Sequence, residues 1–170
     1  MNAGDKKALV IARRSRKNLD FIYAQKGKQA DVEEFTQLLN SMLGMLICLR
    51  EEYFKGSEVT WDDVEKHGLQ TISVAEDSAN EISPRLRKSE TFSKLISNLR
   101  HAFSHNCFEL VGNPITGIKA WNIQTNRENL PENRVWQTEL SEKQLLDIAT
   151  LFMDYLEKKH GFELASDDAT

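Results

Sequence analysis

Asp31-Val-Glu-Glu-Phe-Thr-Gln-Leu-Leu-Asn-Ser-Met-Leu-Gly-Met-Leu-Ile-Cys-Leu-Arg-Glu-Glu-Tyr-Phe54 is the stretch on which the fold is read. Phe35, Leu38, Leu39, Met42, Leu43, Leu46, Ile47 and Leu49 recur at steps of three and four. That spacing puts them on one face of an α-helix, and the run is apolar enough for a central core helix. Asp31 is an N-cap residue with Glu34 three positions on, a capping-box pattern, and Gly56-Ser57 ends the segment.

On the N-terminal side, Lys6 to Gln25 mixes Leu9, Val10, Leu19, Phe21 and Ile22 with charges and reads as an amphipathic helix ended near Gly27. On the other side, Thr60 caps a short helix, Trp61 to His67, stopped by Gly68. Residues 69–90 are expected to form a loop plus one irregular helix, because Pro84 interrupts anything longer. Ser89 or Thr91 then caps a helix whose Phe92, Leu95, Ile96, Leu99, Ala102 and Phe103 share a face, and Asn106 tolerates the left-handed conformation that stops helices. The period changes after Cys107. Phe108 to Val111, a Gly112-Asn113-Pro114 turn and Ile115 to Ile123 read as a hairpin; Gln124 to Asn133 is a polar exposed loop, and Val135 to Thr138 can add a third short strand. Ser141 caps a last helix through Leu145, Ile148, Phe152 and Leu156, ended near Gly161. The expectation is a mainly α protein, an up-and-down helical bundle with a small β-hairpin inserted before the last helix.

The chain has 170 residues, which suits a single domain over 1–165 with residues 166–170 as a disordered acidic tail. Charge breaks every apolar run well before the roughly 20 residues of a membrane span. Ala8 to Ala12, followed at once by Arg13 and Arg14, is too short for a signal peptide, so a cytoplasmic location is expected. Cys48 and Cys107 are far apart and lack a CxxC spacing, which implies reduced thiols and no zinc site. Net charge is −4, yet positive charge clusters. Residues 1–28 hold Lys6, Lys7, Arg13, Arg14, Arg16, Lys17, Lys26 and Lys28 against two aspartates, and residues 85–100 hold Arg85, Arg87, Lys88, Lys94 and Arg100 against Glu90. Such clusters mark either an anion-binding face or ordinary solvated helix surface.

Asn98-Leu-Arg-His-Ala-Phe-Ser-His-Asn106 carries the chemistry. On a helix whose apolar face centres on Phe92, Leu99 and Phe103, His101 and His105 stand one turn apart on the opposite side, with Arg100 on the flank. Cleavage of RNA by its own 2′-hydroxyl needs a base for that hydroxyl, an acid for the leaving 5′-oxygen and positive charge for the transition state. Imidazole titrates near neutrality and serves either proton role, and guanidinium grips phosphate through paired hydrogen bonds. Arg85, Arg87, Lys88 and Lys94 would add phosphate contacts, and Asn106 fits a helix stop better than the alternatives of holding His105 or touching RNA. His-x3-His also suits a metal pair, but Ala102 stands where HExxH needs glutamate, so no metal or other cofactor is expected. Trp61, Trp121 and Trp136 fit core packing better than base stacking.

Arg100-His101-Ala-Phe-Ser-His105 resembles the Arg–polar–x3–His motif of HEPN (higher eukaryotes and prokaryotes nucleotide-binding) domains, and residues 5–160 resemble a bacterial and plasmid-encoded branch of that family. The resemblance implies a helical bundle that dimerises, so that two motifs meet in a cleft and form a metal-independent endoribonuclease. It implies Arg100 and His105 as catalytic and His101 as supporting. It also implies a toxin or defence role, RNA as partner, and room for an antitoxin or regulatory protein. The alternative within the same fold is a non-catalytic module that binds RNA, a nucleotide or a partner chain.

Overall fold

The computed structural model describes residues 3–25, 28, 33–48, 58–74, 76 and 86–167. Among these residues five α-helices and three strands follow in order: α1 (Ala3–Gln25), α2 (Glu34–Cys48), α3 (Trp61–Lys66), α4 (Phe92–Ser104), β1 (Phe108–Val111), β2 (Gly117–Ile123), β3 (Arg134–Ser141) and α5 (Glu142–Asp167), with a 3-10 turn at Pro131–Asn133 before β3. α2 begins where its apolar period begins. The Asp31 cap and the continuation from Leu49 to Phe54 lie outside the described residues, as do residues 75 and 77–85 of the segment expected to hold an irregular helix.

Local chemistry sets the ends of these elements. Thr60 and Asp63 make a capping box at α3: the Asp63 amide donates to Thr60 Oγ1 at 3.1 Å, and the Thr60 amide donates to Asp63 Oδ2 at 3.0 Å. The Thr60 amide and hydroxyl, both donating to Asp63 Oδ2, hold the Asp63 carboxyl below its usual range. Thr91 caps α4 by accepting from the Lys94 amide at 3.2 Å. Ser141 ends β3 and caps α5 at once, paired reciprocally with Gln144. α5 then runs past Gly161 to Asp167, because a single glycine weakens a helix by only about 1 kcal/mol. The tail expected from residue 166 thus starts inside α5, and residues 168–170 lie outside the described residues.

α1 and α5 are antiparallel neighbours. Arg13 pairs with Glu157 at 2.6 Å, Arg16 with Asp154 at 2.5 Å, and Tyr23 donates to Glu142 at 2.9 Å, so rising numbers on one helix meet falling numbers on the other. Burial and the Glu142 carboxylate push the Tyr23 hydroxyl well above its ordinary range. α4 packs against α2 on one side and β2 on the other, while α5 packs against β3. Phe92 is fully buried and lies near Trp61, Phe152 and Tyr155 with ring centroids 5.5, 6.5 and 6.1 Å away.

The expected up-and-down bundle with an inserted hairpin is therefore corrected to a mixed α/β fold. The strands form a three-stranded antiparallel sheet in the order β1-β2-β3. β3 is no accessory to a hairpin: it pairs with β2 from Gly117↔Ser141 to Ile123↔Arg134. Ile118, Ala120 and Asn122 of β2 and Trp136, Thr138 and Leu140 of β3 share one face, and all six are buried. A face that apolar must be covered, and α4 and α5 cover it. The sheet is a wall of the core. Gly117 is required there, because a Cβ would stand 2.3 Å from the Leu140 carbonyl oxygen.

One polar link crosses the helix–sheet interface. Buried Asn122 donates from Nδ2 to the Asn98 backbone carbonyl at 3.1 Å and to Asn98 Oδ1 at 3.3 Å, and Asn98 Nδ2 donates to Ser89 Oγ at 3.0 Å. Asn122 Oδ1 is buried with no hydrogen-bond partner. Asn122→Ala removes both donations but also that unpaired acceptor. The variant is expected to lose about 1 kcal/mol, at the low end of the range for a buried polar deletion, measured by urea unfolding. An unchanged midpoint would show that the link does not stabilise the docking of α4.

Candidate functional site

The site is built on how α4 stops. His105 is the C-cap, with φ −103° and its amide donating to the His101 carbonyl at 3.1 Å. Asn106 follows at φ 52°. Its amide donates to the Phe103 carbonyl at 3.2 Å, and the Cys107 amide donates to the Ala102 carbonyl at 2.8 Å. This nested pair is the Schellman arrangement, with asparagine in the left-handed position that glycine usually takes. The turn reverses the chain into β1, and the Trp121 amide donating to the Cys107 carbonyl at 2.9 Å ties it to β2.

That termination leaves His101 and His105 exposed on the last turn, with ring centroids 4.3 Å apart and planes at 47°. Their neighbours Ala102 and Phe103 are buried, so the polar side chains cannot turn inward without unpacking the helix. Arg100 is half-buried at the other border of the exposed arc. At about 100° per residue it stands roughly 140° around the helix from His105. The histidines are brought together, whereas the helix pitch sets the Arg100 and His105 positions of one chain on different sides. Lys94 is exposed and falls in the same angular sector as the histidines, about two to three turns back.

The other expected anion contacts separate from the pair. Arg85 lies outside the described residues. Arg87 is engaged with backbone: its amide donates to the Val135 carbonyl at 3.0 Å, extending the β3 edge, and its Nη1 donates to the Leu86 carbonyl at 3.0 Å. Lys88 is exposed beside it. In the N-terminal basic cluster, Arg13 and Arg16 are engaged with Glu157 and Asp154, which removes half of the Arg13-Arg14-Arg16-Lys17 turn as an anion face. His67 is the C-cap of α3, its Nδ1 2.7 Å from the Asp63 carbonyl.

A loop side chain, Asn129, lies against the helix end. Trp121 Nε1 donates to Asn129 Oδ1 at 2.8 Å, and Asn129 Nδ2 reaches Cys107 Sγ at 4.0 Å. The Cys107 thiol donates to the His105 carbonyl at 3.5 Å. Arg134 stacks over the Trp121 ring at 4.4 Å from its centroid, and its guanidinium donates to Gln137. Trp121 and Trp136 are buried and engaged, Trp136 donating to Glu76 at 3.0 Å, so they pack rather than offer a base platform. Burial pushes the Cys107 thiol up, against the pull of Arg134, and a raised thiol is no nucleophile near neutrality. Burial likewise lowers Arg134, with Glu109 opposing. No sequence period signals these contacts. They join residues 8 and 22 positions apart through side chains of a loop. Among the described residues, no group of three or more His, Cys, Asp or Glu is placed to hold a metal ion.

Comparison with known families settles the lineage of this helix end and its sheet. A family model described as HEPN pEK499 p136 matches residues 1–162. The chain belongs to this family. Its HEPN domain is of the plasmid-protein type, in a family of nucleases and nucleotide-binding modules. No curated protein and no solved structure matches it. Among the described residues, no helix of this HEPN chain is long and apolar enough to cross a membrane.

The role of Asn106 is open to a direct check. Asn106→Gly should keep or slightly raise stability, because glycine adopts the left-handed region without penalty. Asn106→Val should cost about 1–2 kcal/mol in urea unfolding, the penalty for a β-carbon in that conformation. Equal stability of the two variants would remove the helix stop as the reason for this residue.

Proposed function

We propose that the chain is a metal-independent endoribonuclease whose site forms where two copies face each other. In this reading a base takes the proton of the RNA 2′-hydroxyl as its oxygen attacks the adjacent phosphorus. The P–O5′ bond breaks, and an acid returns a proton to the departing 5′-oxygen. The products are a 2′,3′-cyclic phosphate and a 5′-hydroxyl, and no electrons are exchanged. His105 is the main acid/base, His101 orients or assists it, and Arg100 stabilises the charge on phosphorus.

The observation that carries this reading is the exposed histidine pair on a helix end whose apolar face is buried. Two imidazoles held one turn apart by a packed helix are preorganised, and preorganisation is what proton transfer within one bound complex needs. The angular separation of Arg100 from His105 favours a composite site, since a second copy can set its own arginine opposite the first copy's histidine. Phe21, 63% exposed on α1, is apolar surface that such a contact could cover. Chemistry based on Arg and His also suits the broad roles of the family, from RNA cleavage in toxin or defence systems to RNA binding under an antitoxin.

Labelled total RNA incubated with EDTA tests the reading. Wild type should cleave and leave cyclic-phosphate ends, while Arg100→Ala and His105→Ala should each cut at least about a hundredfold more slowly. Both variants should retain the wild-type melting curve. Failure of a folded, dimeric wild type to cleave would support instead a HEPN module that binds RNA, a nucleotide or a protein without catalysis.

A further inference from the structure

The connection between β2 and β3 is longer than an antiparallel pair requires. Two residues suffice to join such strands, yet residues 124–133 intervene, and 124–132 are all exposed. The loop is nevertheless held as a unit. The Gln124 amide donates to the Asn133 carbonyl at 2.9 Å, Arg127 to Gln124 at 3.1 Å and Asn133 to Leu130 at 3.0 Å, while Asn133 Nδ2 donates to the Glu128 carbonyl at 3.1 Å. Asn126 adopts φ 62°. Ordering an exposed segment costs about 1–2 kcal/mol of backbone entropy per residue, with no buried apolar surface to offset it. Rigid exposed loops set on a scaffold are where binding residues concentrate.

Its anchor points to one place. Asn129 bridges Trp121 and Cys107, and the Cys107 thiol bonds the His105 carbonyl, so the loop is fastened to the turn that carries the histidine pair. The exposed side chains ahead of the anchor are Gln124, Thr125, Asn126 and Arg127, all able to hydrogen-bond. Glu128 and Glu132 outnumber Arg127, which disfavours phosphate. Amide and guanidinium groups without net positive charge suit the edges of nucleobases, and single-stranded RNA is recognised chiefly through such edges.

We propose that the 124–133 loop is the base-reading wall of the site. Asn126 and Arg127 contact the nucleobase flanking the P–O5′ bond whose cleavage His105 assists as acid/base, and Asn129 is the positioning residue that holds the loop in place. This role rests on the ribonuclease reading above. It adds a base preference beside the cut, and the surface that sets it, which the histidine pair alone does not define.

The test is to sequence the cut ends of a random-sequence single-stranded RNA pool digested by the full chain. Wild type is compared with Asn126→Gly, Arg127→Ala and the double variant. Glycine at 126 keeps the left-handed backbone, so the first variant removes only the amide. Wild type should prefer one base beside the cut, and that preference should fall about tenfold in the double variant. The preference is a ratio between positions and does not depend on overall rate. Asn129→Ala should blur the preference less than the double variant does, with the Arg127 contribution surviving. Identical base preferences in wild type and the double variant, or cutting by wild type with no preference, would overturn the base-reading role and leave the loop to a protein contact. RNA left whole by wild type would overturn the ribonuclease reading and this role with it, so the two failures are distinguishable.

Discussion

The burial of α4 on several sides is the constraint on which the structure depends. Phe92, Leu95, Ile96, Leu99, Ala102 and Phe103 are all buried, facing α2 and the aromatic cluster in one direction and β2 in the other. A fully buried side chain of this kind contributes about 1.5–3 kcal/mol relative to exposure. Rotating α4 to bring His101 or His105 inward would forfeit several of these contributions together. The exposed polar strip is therefore determined by its opposite, the apolar face, and the Asn98–Asn122 link resists sliding along the sheet.

The second constraint is the stop. A helix one turn longer would carry the chain past the point where β1 pairs with β2 at Phe108↔Ala120. The Schellman turn at Asn106 and Cys107 satisfies the terminal carbonyls of Ala102 and Phe103 and reverses the chain within two residues. It also leaves the histidine pair exposed close to where the sheet begins. The 124–133 loop meets that turn through Asn129, so helix end, sheet and loop converge on one small surface.

Much of this was legible along the chain. The three- and four-residue steps of Phe35 to Leu46 and of Phe92 to Phe103 located two helices, because a packed helix buries one stripe. Thr60, Thr91 and Ser141 marked helix starts, since short hydroxyl side chains satisfy terminal amides. His101 and His105 fell where the apolar face of their helix left them exposed. Misjudging the sheet as a minor insertion had a clear cause. Local alternation in Val135 to Thr138 signals a strand but not how long its pairing runs, and pairing with Gly117 to Ile123 extends it at both ends. The end of α5 was misplaced for the converse reason, as a glycine was given more weight than its helix cost justifies.

The order of elements, the capped helices, the left-handed Asn106 and the pairing of His101 with His105 are local properties, and the sequence determined them because each depends on residues within about one helical turn of each other. The sheet as a wall of the core, the buried Asn98–Asn122 link, the engagement of Arg13, Arg16 and Arg87 elsewhere, and the fastening of Asn129 beside His105 were decided only by the tertiary structure. Those contacts join residues far apart in the chain. Their partners are chosen by which surfaces remain to be covered once the helices have packed, and no single stretch of sequence contains that information.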